Sequence, residues 1–310
     1  LVVAQIISQE DRFVKGQFQK NNRCRQTRLI FVYFEKRRLE KRIEFLLPFV
    51  YNDGIVFISE EAIRLGQVVA VISGKGGTGK TCLTAAVASC LAAEAQRVLC
   101  IDCDAGLRNL DIPLGLSAEA AIPFTAVMDG DCDLDAAAVH PKIPGLHLLT
   151  APVTRTAEEL DDEAFSQLVA KAREQFDWCF LDAPAGVGAG FHLTVRNADR
   201  ALIVSGADPA TMRDASRTAD LAELDGVRQM ELVVNRVAPQ IYRRTGATVD
   251  DVMDGVGLPL LGVVPEDVNV TLAAARQVPL VLYSNRGASV ACLHIARRLR
   301  GIKAPLLRIK

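Results

Sequence analysis

The sequence predicts an α/β fold: a mostly parallel, doubly wound sheet flanked by helices. Three observations predict it. Seven short apolar runs recur, Ala-rich stretches of helical period and length separate them, and four of the runs lead within two residues into Gly or Asp. An apolar run without alternation suits a strand covered on both faces, and strands alternating with helices suit parallel pairing. The runs, in order, are 68–72, 98–101, 146–149, 178–181, 201–204, 231–234 and 260–264, and 81–95 and 163–174 have good helix propensity.

Composition narrows the function classes. Of 310 residues half are apolar, with 36 basic against 37 acidic side chains. That is enough for a large packed core, and it argues against a protein that coats nucleic acid with its whole surface. The eight cysteines form no spaced ladder, which argues against a secreted disulfide scaffold and for a reducing, cytoplasmic compartment. No apolar window approaches the roughly 18–20 residues of a spanning helix, so membrane contact is expected to be peripheral. Residues 1–66 stand apart, with 12 basic against 8 acidic residues and nine of the seventeen aromatics. Residues 23–49 mix basic and aromatic residues without a sustained period. They read as a basic arm for lipid or nucleic acid or, the preferred expectation, as an extension outside the native fold. The expected organisation is an extension over 1–66, one domain over 67–301 and a short tail over 302–310.

The first run leads into Gly74-Lys75-Gly76-Gly77-Thr78-Gly79-Lys80-Thr81 and an Ala-rich helix that begins with Cys82 close behind. This fits G-x-x-x-x-G-K-[ST] in its required context of strand, glycine loop and helix. Glycines let main-chain N–H groups close on phosphate oxygens, and the helix start adds the positive end of its dipole. Lys80 would neutralise phosphate charge and Thr81 would ligate Mg²⁺. Lys75 is a second cation in the same loop, either offered to a partner's nucleotide or simply solvated. The second run ends in Asp102-Cys103-Asp104, followed by Gly106-Leu107-Arg108-Asn109-Leu110-Asp111, and the fourth in Asp182-Ala183-Pro184-Ala185-Gly186-Val187. Carboxylates at strand ends beside a phosphate loop lie where open parallel sheets place ligand chemistry.

The loop resembles the deviant Walker A motif of the ParA/MinD superfamily of P-loop ATPases. The run D-x-D-x-G-L-R-N-L-D resembles switch I of the MinD family rather than the D-x-D-P-Q-G-N usual in ParA partition proteins, and D-A-P-A-G-V resembles its Walker B segment. The resemblance implies a SIMIBI-type P-loop fold, Mg-dependent ATP hydrolysis, and an ATP-sandwich homodimer into which Lys75 reaches. By the same resemblance Asp104 orients the attacking water, and Asp102 supports the site. Asp104 and Asp182 hold Mg²⁺ with Thr81, the acids through water. Lys75, Lys80, Asp104 and Asp182 form the catalytic set. The nucleotide set is residues 74–82, with Arg108 and Asn109 at phosphate or the opposing subunit, and with Asn235, Arg236, Pro265, Glu266 and Asp267 around adenine. Gly188 stands where many MinD proteins have glutamate, and Arg213-Asp214 falls near the family's partner surface. The family further implies reversible attachment to the anionic inner face of the cell membrane, a septum-inhibitor partner and an ATPase-stimulating regulator, with no specific nucleic acid. A DNA-partition ATPase and a flagellar-number regulator are the neighbouring alternatives, and an iron–sulfur carrier is a more distant one.

Two further features complete the reading. Cys100 and Cys103 form a C-x-x-C without a second pair, and His140, His147, His192 and His294 show no ligand spacing, so no metal or redox centre is expected among them. After Asp267 no acidic residue follows, yet eight basic ones do. Residues 289–299 are expected to form a last helix packed on the sheet, with Val290, Leu293, Ala296 and Leu299 on one face. In 302–310, Ile302, Leu306, Leu307 and Ile309 alternate with Lys303, Arg308 and Lys310, which suits an anionic lipid surface.

Overall fold

The computed structural model describes residues 46–51, 54–59, 65–119, 121–246 and 248–307. Its contacts divide the chain into two units, with the boundary between Arg64 and Leu65.

In the first unit, strands β1 (Leu46–Tyr51) and β2 (Gly54–Ser59) pair antiparallel from Leu46↔Ser59 to Tyr51↔Gly54. The sequence shows no strand period here because both strands carry consecutive apolar residues, so alternation is absent. The signal was the Asn52-Asp53 pair between them, residue types suited to a two-residue hairpin connection. The basic-arm reading of residues 1–66 falls on basic residues that all lie outside the described residues.

The second unit holds strands β3 (Gln67–Ile72), β4 (Val98–Asp102), β5 (Ala138–Val139), β6 (Leu146–Leu149), β7 (Trp178–Asp182), β8 (Arg200–Ser205), β9 (Gln229–Val237) and β10 (Leu260–Pro265). They form one sheet in the order β10-β9-β8-β3-β7-β4-β6-β5, parallel throughout except at the β5–β6 edge. Each of the seven apolar runs is a strand. The two-residue β5 is too short to leave a periodic trace.

Its longer helices are α1 (Lys80–Ala93), α2 (Asp162–Gln175), α3 (Ala189–Arg196), α4 (Pro209–Leu224), α5 (Val249–Val256), α6 (Val268–Ala275) and α7 (Ala288–Leu299). Alternate residues of each strand face opposite layers. Val69, Val71, Cys100 and Phe180 pack under α1 and α7, whereas Val68, Leu99, Ile101 and Leu181 pack against α2, and Ala70, Ile72 and Ile203 against α3 and α4. Both faces are covered, which is why the runs are continuously apolar. Because β3 sits between β7 and β8 while the chain leaves it for β4 two places away, the winding reverses at its C-terminal end, where such sheets open a ligand crevice.

The last helix, α7, packs on β10 closely enough that a side chain at Gly262 would meet Ile295 Cγ1 at 2.3 Å. Its buried stripe is Ala291, Cys292, Ile295, Ala296 and Leu299, spaced by three and four. Val290 and Leu293 are half-buried at its margin, one position off the expected face. Beyond it, residues 302–307 form no helix. Arg298 Nε donates to Ala304 O at 2.9 Å, Leu307 packs on the core, and Ile302 and Leu306 stay exposed. Arg308, Ile309 and Lys310 lie outside the described residues. Among the described residues no helix is long and apolar enough to cross a membrane.

Candidate functional site

The crevice is built first by glycine. After β3, Gly77 and Gly79 take φ of 82° and 91°, left-handed values that L side chains resist. Gly79 caps α1 without a side-chain hydrogen bond, and no acidic residue stands in the first turn, so no carboxylate there competes for the N–H groups of the helix start. Close approach explains two more positions. A Cβ on Gly74 would lie 2.5 Å from Asp214 O, and one on Gly79 would lie 2.5 Å from Asn235 Nδ2.

The loop's carbonyls are held from behind. Ser73 Oγ donates to Lys75 O at 2.9 Å and Thr78 Oγ1 to Ser73 Oγ at 2.9 Å. Asn235 Nδ2 donates to Thr78 O at 2.8 Å, and Arg236 Nη1 to Gly77 O at 3.2 Å. With its carbonyls occupied on one side, the loop can turn N–H groups to the other, the arrangement an anion needs.

The two lysines have opposite environments. Lys75 is exposed, as are Gly76 and Gly77. Lys80 is buried, and burial pulls its ammonium below the ordinary lysine range against the raising influence of the Asp182 and Asp104 carboxylates.

Asp102 and Asp182 close adjacent strands in register. Asp182 is buried, and burial pushes its carboxyl up to about 7, helped by the nearby Asp102 charge and opposed by hydroxyl hydrogen bonds from Thr81 and Thr84 and by Lys80. Thr84 Oγ1 donates to Asp182 Oδ1 at 2.9 Å. Asp102, also buried, accepts three main-chain hydrogen bonds, from Asp104 N, Asn109 N and Leu110 N, each at 3.1 Å. Burial raises its carboxyl, and these three bonds hold it down. Asp104 is half-buried, raised by burial and lowered by Lys80.

The structure thus brings Lys80, Thr81, Asp104 and Asp182 into one cluster at the strand ends. Other candidates sit differently. Arg108 Nε pairs with Asp111 Oδ2 at 2.9 Å, and Asn109 contributes its main-chain N–H to Asp102. Cys82 is half-buried, and burial raises its thiol. Arg236, at φ 55°, joins Glu266 Oε1 at 3.3 Å, so with Asn235 it forms the rear brace of the loop. Pro265 ends β10. Asp267 caps α6 through Asn269 N at 2.9 Å and accepts Ala288 N of α7 at 3.0 Å. Its carboxylate therefore joins two helices. Asp208 caps α4, and Arg213 is exposed. A Cβ at Gly188 would meet nothing within 4 Å, so the space there accepts a larger residue.

Cys100, on β4, and Cys103, just past its end, lie in opposite core layers. Among the described residues no group of His, Cys, Asp and Glu is gathered to hold a metal ion. His140 Nδ1 accepts from Lys142 N and Ile143 N, and His192 pairs with Asp225, both local packing roles.

Sequence reasoning missed Thr84. The available signal was helical spacing: four residues after Lys80 and three after Thr81, it shares their face of α1.

The donor set fits the groups the motif calls for. Hydroxyl and carboxylate oxygens from Thr81, Asp104 and Asp182 suit Mg²⁺, a hard cation that keeps several waters. A glycine loop at a helix start, with Lys80 inside it, suits a polyphosphate.

The family model of the CobQ/CobB/MinD/ParA nucleotide binding domain matches residues 69–280. The septum site-determining protein MinD of Synechocystis sp. is 36% identical over 248 residues, covering 78% of this chain and 92% of that protein. Among solved structures, the MinC:MinD cell division protein complex of Aquifex aeolicus matches with a TM-score of 0.73 and 34% identity over 78% of this chain and 99% of that one. The MinD cell division protein of the same organism matches at 0.71 and 34%, over 78% and 100%. With the fold, the glycine loop and this extent of likeness in hand, the chain belongs to the MinD family of septum site-determining proteins, within the CobQ/CobB/MinD/ParA nucleotide-binding group.

Proposed function

We propose that the protein is a Mg-dependent ATPase, with its ATPase domain over 67–301, that dimerises on ATP binding, attaches reversibly to the inner face of the cell membrane and helps place the division septum by recruiting a septum inhibitor. The observation that carries this reading is the pair of lysines in one loop: Lys80 buried beside Asp182 and Asp104, Lys75 exposed. One serves its own nucleotide, the other is free for a partner's.

In this reading Lys80 neutralises phosphate charge in cis, and the Gly74–Gly79 N–H groups cradle the phosphate oxygens. Thr81, Asp104 and Asp182 hold Mg²⁺, which when bound shields the phosphate charge. Asp104, half-buried and facing Lys80, orients the attacking water. Asp102 keeps the Asp104–Leu110 turn in shape, so Asp104, Arg108 and Asn109 arrive together. Rotation of Arg108 away from Asp111 would free its guanidinium for phosphate or the opposing subunit. Asn235, Arg236 and Glu266 tie the loop to the adenine side, and Cys82, Pro265 and Asp267 border it.

The tail supplies the membrane contact: Ile302 and Leu306 are exposed beside Lys303. A brief segment with one proline binds weakly alone, and two tails joined in an ATP dimer bind far better through effective concentration. The likeness to a chain solved with MinC supports a septum-inhibitor partner. A regulator that stimulates hydrolysis completes the cycle.

Co-sedimentation of the full chain with anionic vesicles tests the reading, with Mg²⁺ and either ATP or ADP, beside a variant lacking 302–310. ATP-dependent binding lost with the tail is expected. No lipid binding in either state, with salt-sensitive ATP-dependent binding to duplex DNA instead, would replace it with a partition ATPase. Lys75→Ala is expected to abolish ATP-dependent dimerisation, read by light scattering, while nucleotide binding persists; unchanged dimerisation would remove the role across the interface.

A further inference from the structure

We propose that Thr84 is a positioning residue for the Asp182 carboxylate, its hydroxyl fixing Oδ1 so that the carboxylate stays turned to Thr81 and Lys80 where the magnesium–nucleotide pair is held. The proposal rests on the reading of Asp182 given above, and it adds a residue that the phosphate-loop pattern does not contain.

Thr84 is completely buried in the second turn of α1. Its hydroxyl faces two acceptors, Asp182 Oδ1 at 2.9 Å and Lys80 O at 3.0 Å. A hydroxyl has one hydrogen to give. The carboxylate is the stronger acceptor, and Lys80 O, a helix carbonyl, already has Thr84's own N–H four residues on as its partner. The hydrogen therefore belongs on Asp182.

The neighbouring strand end shows why such a donor is needed. Asp102 is held by three main-chain N–H groups and cannot turn. Asp182 accepts from the Thr84 hydroxyl, and the Thr81 hydroxyl lies close to it. Thr81 lies in the first turn and is itself assigned to the cation, so Thr84 is the donor whose only task is the carboxylate. It reaches Asp182 from the body of the helix, one turn behind the loop, and so links the phosphate loop to the end of β7 through a rigid element.

The test compares Thr84→Val, which keeps the shape and removes the hydroxyl, with Thr84→Ser, which keeps the hydroxyl. Affinity of the full chain for a fluorescent ADP analogue is measured with Mg²⁺ and with EDTA. Wild type is expected to bind more tightly with Mg²⁺. Thr84→Val is expected to lose about tenfold of that gain, the order of one charge-assisted hydrogen bond, with its EDTA affinity unchanged. Thr84→Ser is expected to restore the gain. A Thr84→Val variant that keeps the full gain, or that weakens binding equally with and without Mg²⁺, would overturn the proposal, the second result marking a purely structural residue. If Thr84→Val fails to fold, Thr84→Cys, similar in size and a weak donor, carries the same two expectations. A wild type with nucleotide affinity but no magnesium gain would overturn the assignment of Asp182 itself. Lost gain in the variant alone separates the two failures.

Discussion

Asp102 and Asp182 are the same residue at the ends of neighbouring strands, paired in register and equally buried at 1% and 2% exposure. Their surroundings differ in kind. Asp102 is satisfied by three N–H groups of the chain that follows it, donors fixed by the backbone. Asp182 is met by hydroxyls, which rotate, and by the charge of Lys80. The contrast separates a carboxylate that builds a loop from one that can exchange partners. Both come from apolar strands ending in Asp, so only the return of the chain over 104–110 distinguishes them.

The largest expected effect breaks the first half of that contrast. Asp102→Ala leaves three N–H groups without their acceptor, Leu110 N buried and those of Asp104 and Asn109 part-buried, at about 1–3 kcal/mol each at full burial. A loss of about 3–5 kcal/mol in urea unfolding is expected, with m unchanged. A loss below about 1 kcal/mol would mean that the turn holds itself.

Asp182→Asn is expected to act on the other axis. It removes a buried charge and keeps an acceptor for Thr84, so stability should fall by no more than about 1 kcal/mol at any pH from about 5 to 8. Magnesium-dependent ATP turnover should fall at least about a hundredfold. Equal damage to stability and turnover would erase the distinction between the two carboxylates.

Protonation sharpens it. The Asp182 carboxyl lies at about 7 in the folded protein against 3.8 for a freely solvated aspartate side chain. Between those values the folded state holds a proton that the unfolded chain has released, so this group makes stability fall as pH rises from about 4 to 7 and level off above. Nucleotide-free wild type minus Asp182→Asn should show that slope in urea unfolding at pH 5 and 8. A flat difference would place the carboxyl in its ordinary range. Magnesium uptake near pH 6 should correspondingly release a proton, as a buffer-dependent heat of binding would read.

The sheet was legible because each strand is covered on both faces, which writes a continuous apolar run into the chain; 68–72 and 178–181 need no partner to be recognised. The phosphate loop was legible because left-handed backbone and close approach at Gly74, Gly77 and Gly79 require glycine. What escaped depends on contacts across the fold. Thr84 meets Asp182 across 98 residues, and Arg236 meets Glu266 across 30. The hairpin over 46–59 hid behind strands apolar at successive positions. Asp267 carries the ordinary mark of a helix cap, and its second bond to Ala288 N depends on where α7 begins. The non-helical course of 302–307 follows from Pro305 and the Arg298–Ala304 bond, of which only the proline was visible.

The smallest expected effect concerns the rear of the loop, where Arg236 joins Gly77 O to Glu266. The pair is 61% and 54% exposed, and exposed ion pairs contribute at most about 1 kcal/mol. Glu266→Gln should therefore change stability by less than about 0.5 kcal/mol and nucleotide affinity by no more than about twofold, because Arg236 keeps its bond to Gly77 O and Asn235 still holds Thr78 O. Isothermal titration with ATP would read the affinity. The strand-end contrast assumes that the loop's shape comes from its glycines and from Asn235, with solvent screening the outer ion pair. A tenfold loss on Glu266→Gln would show instead that an exposed charge sets the loop's position, and the division of labour between Asp102 and Asp182 would then account for only part of how the site is held.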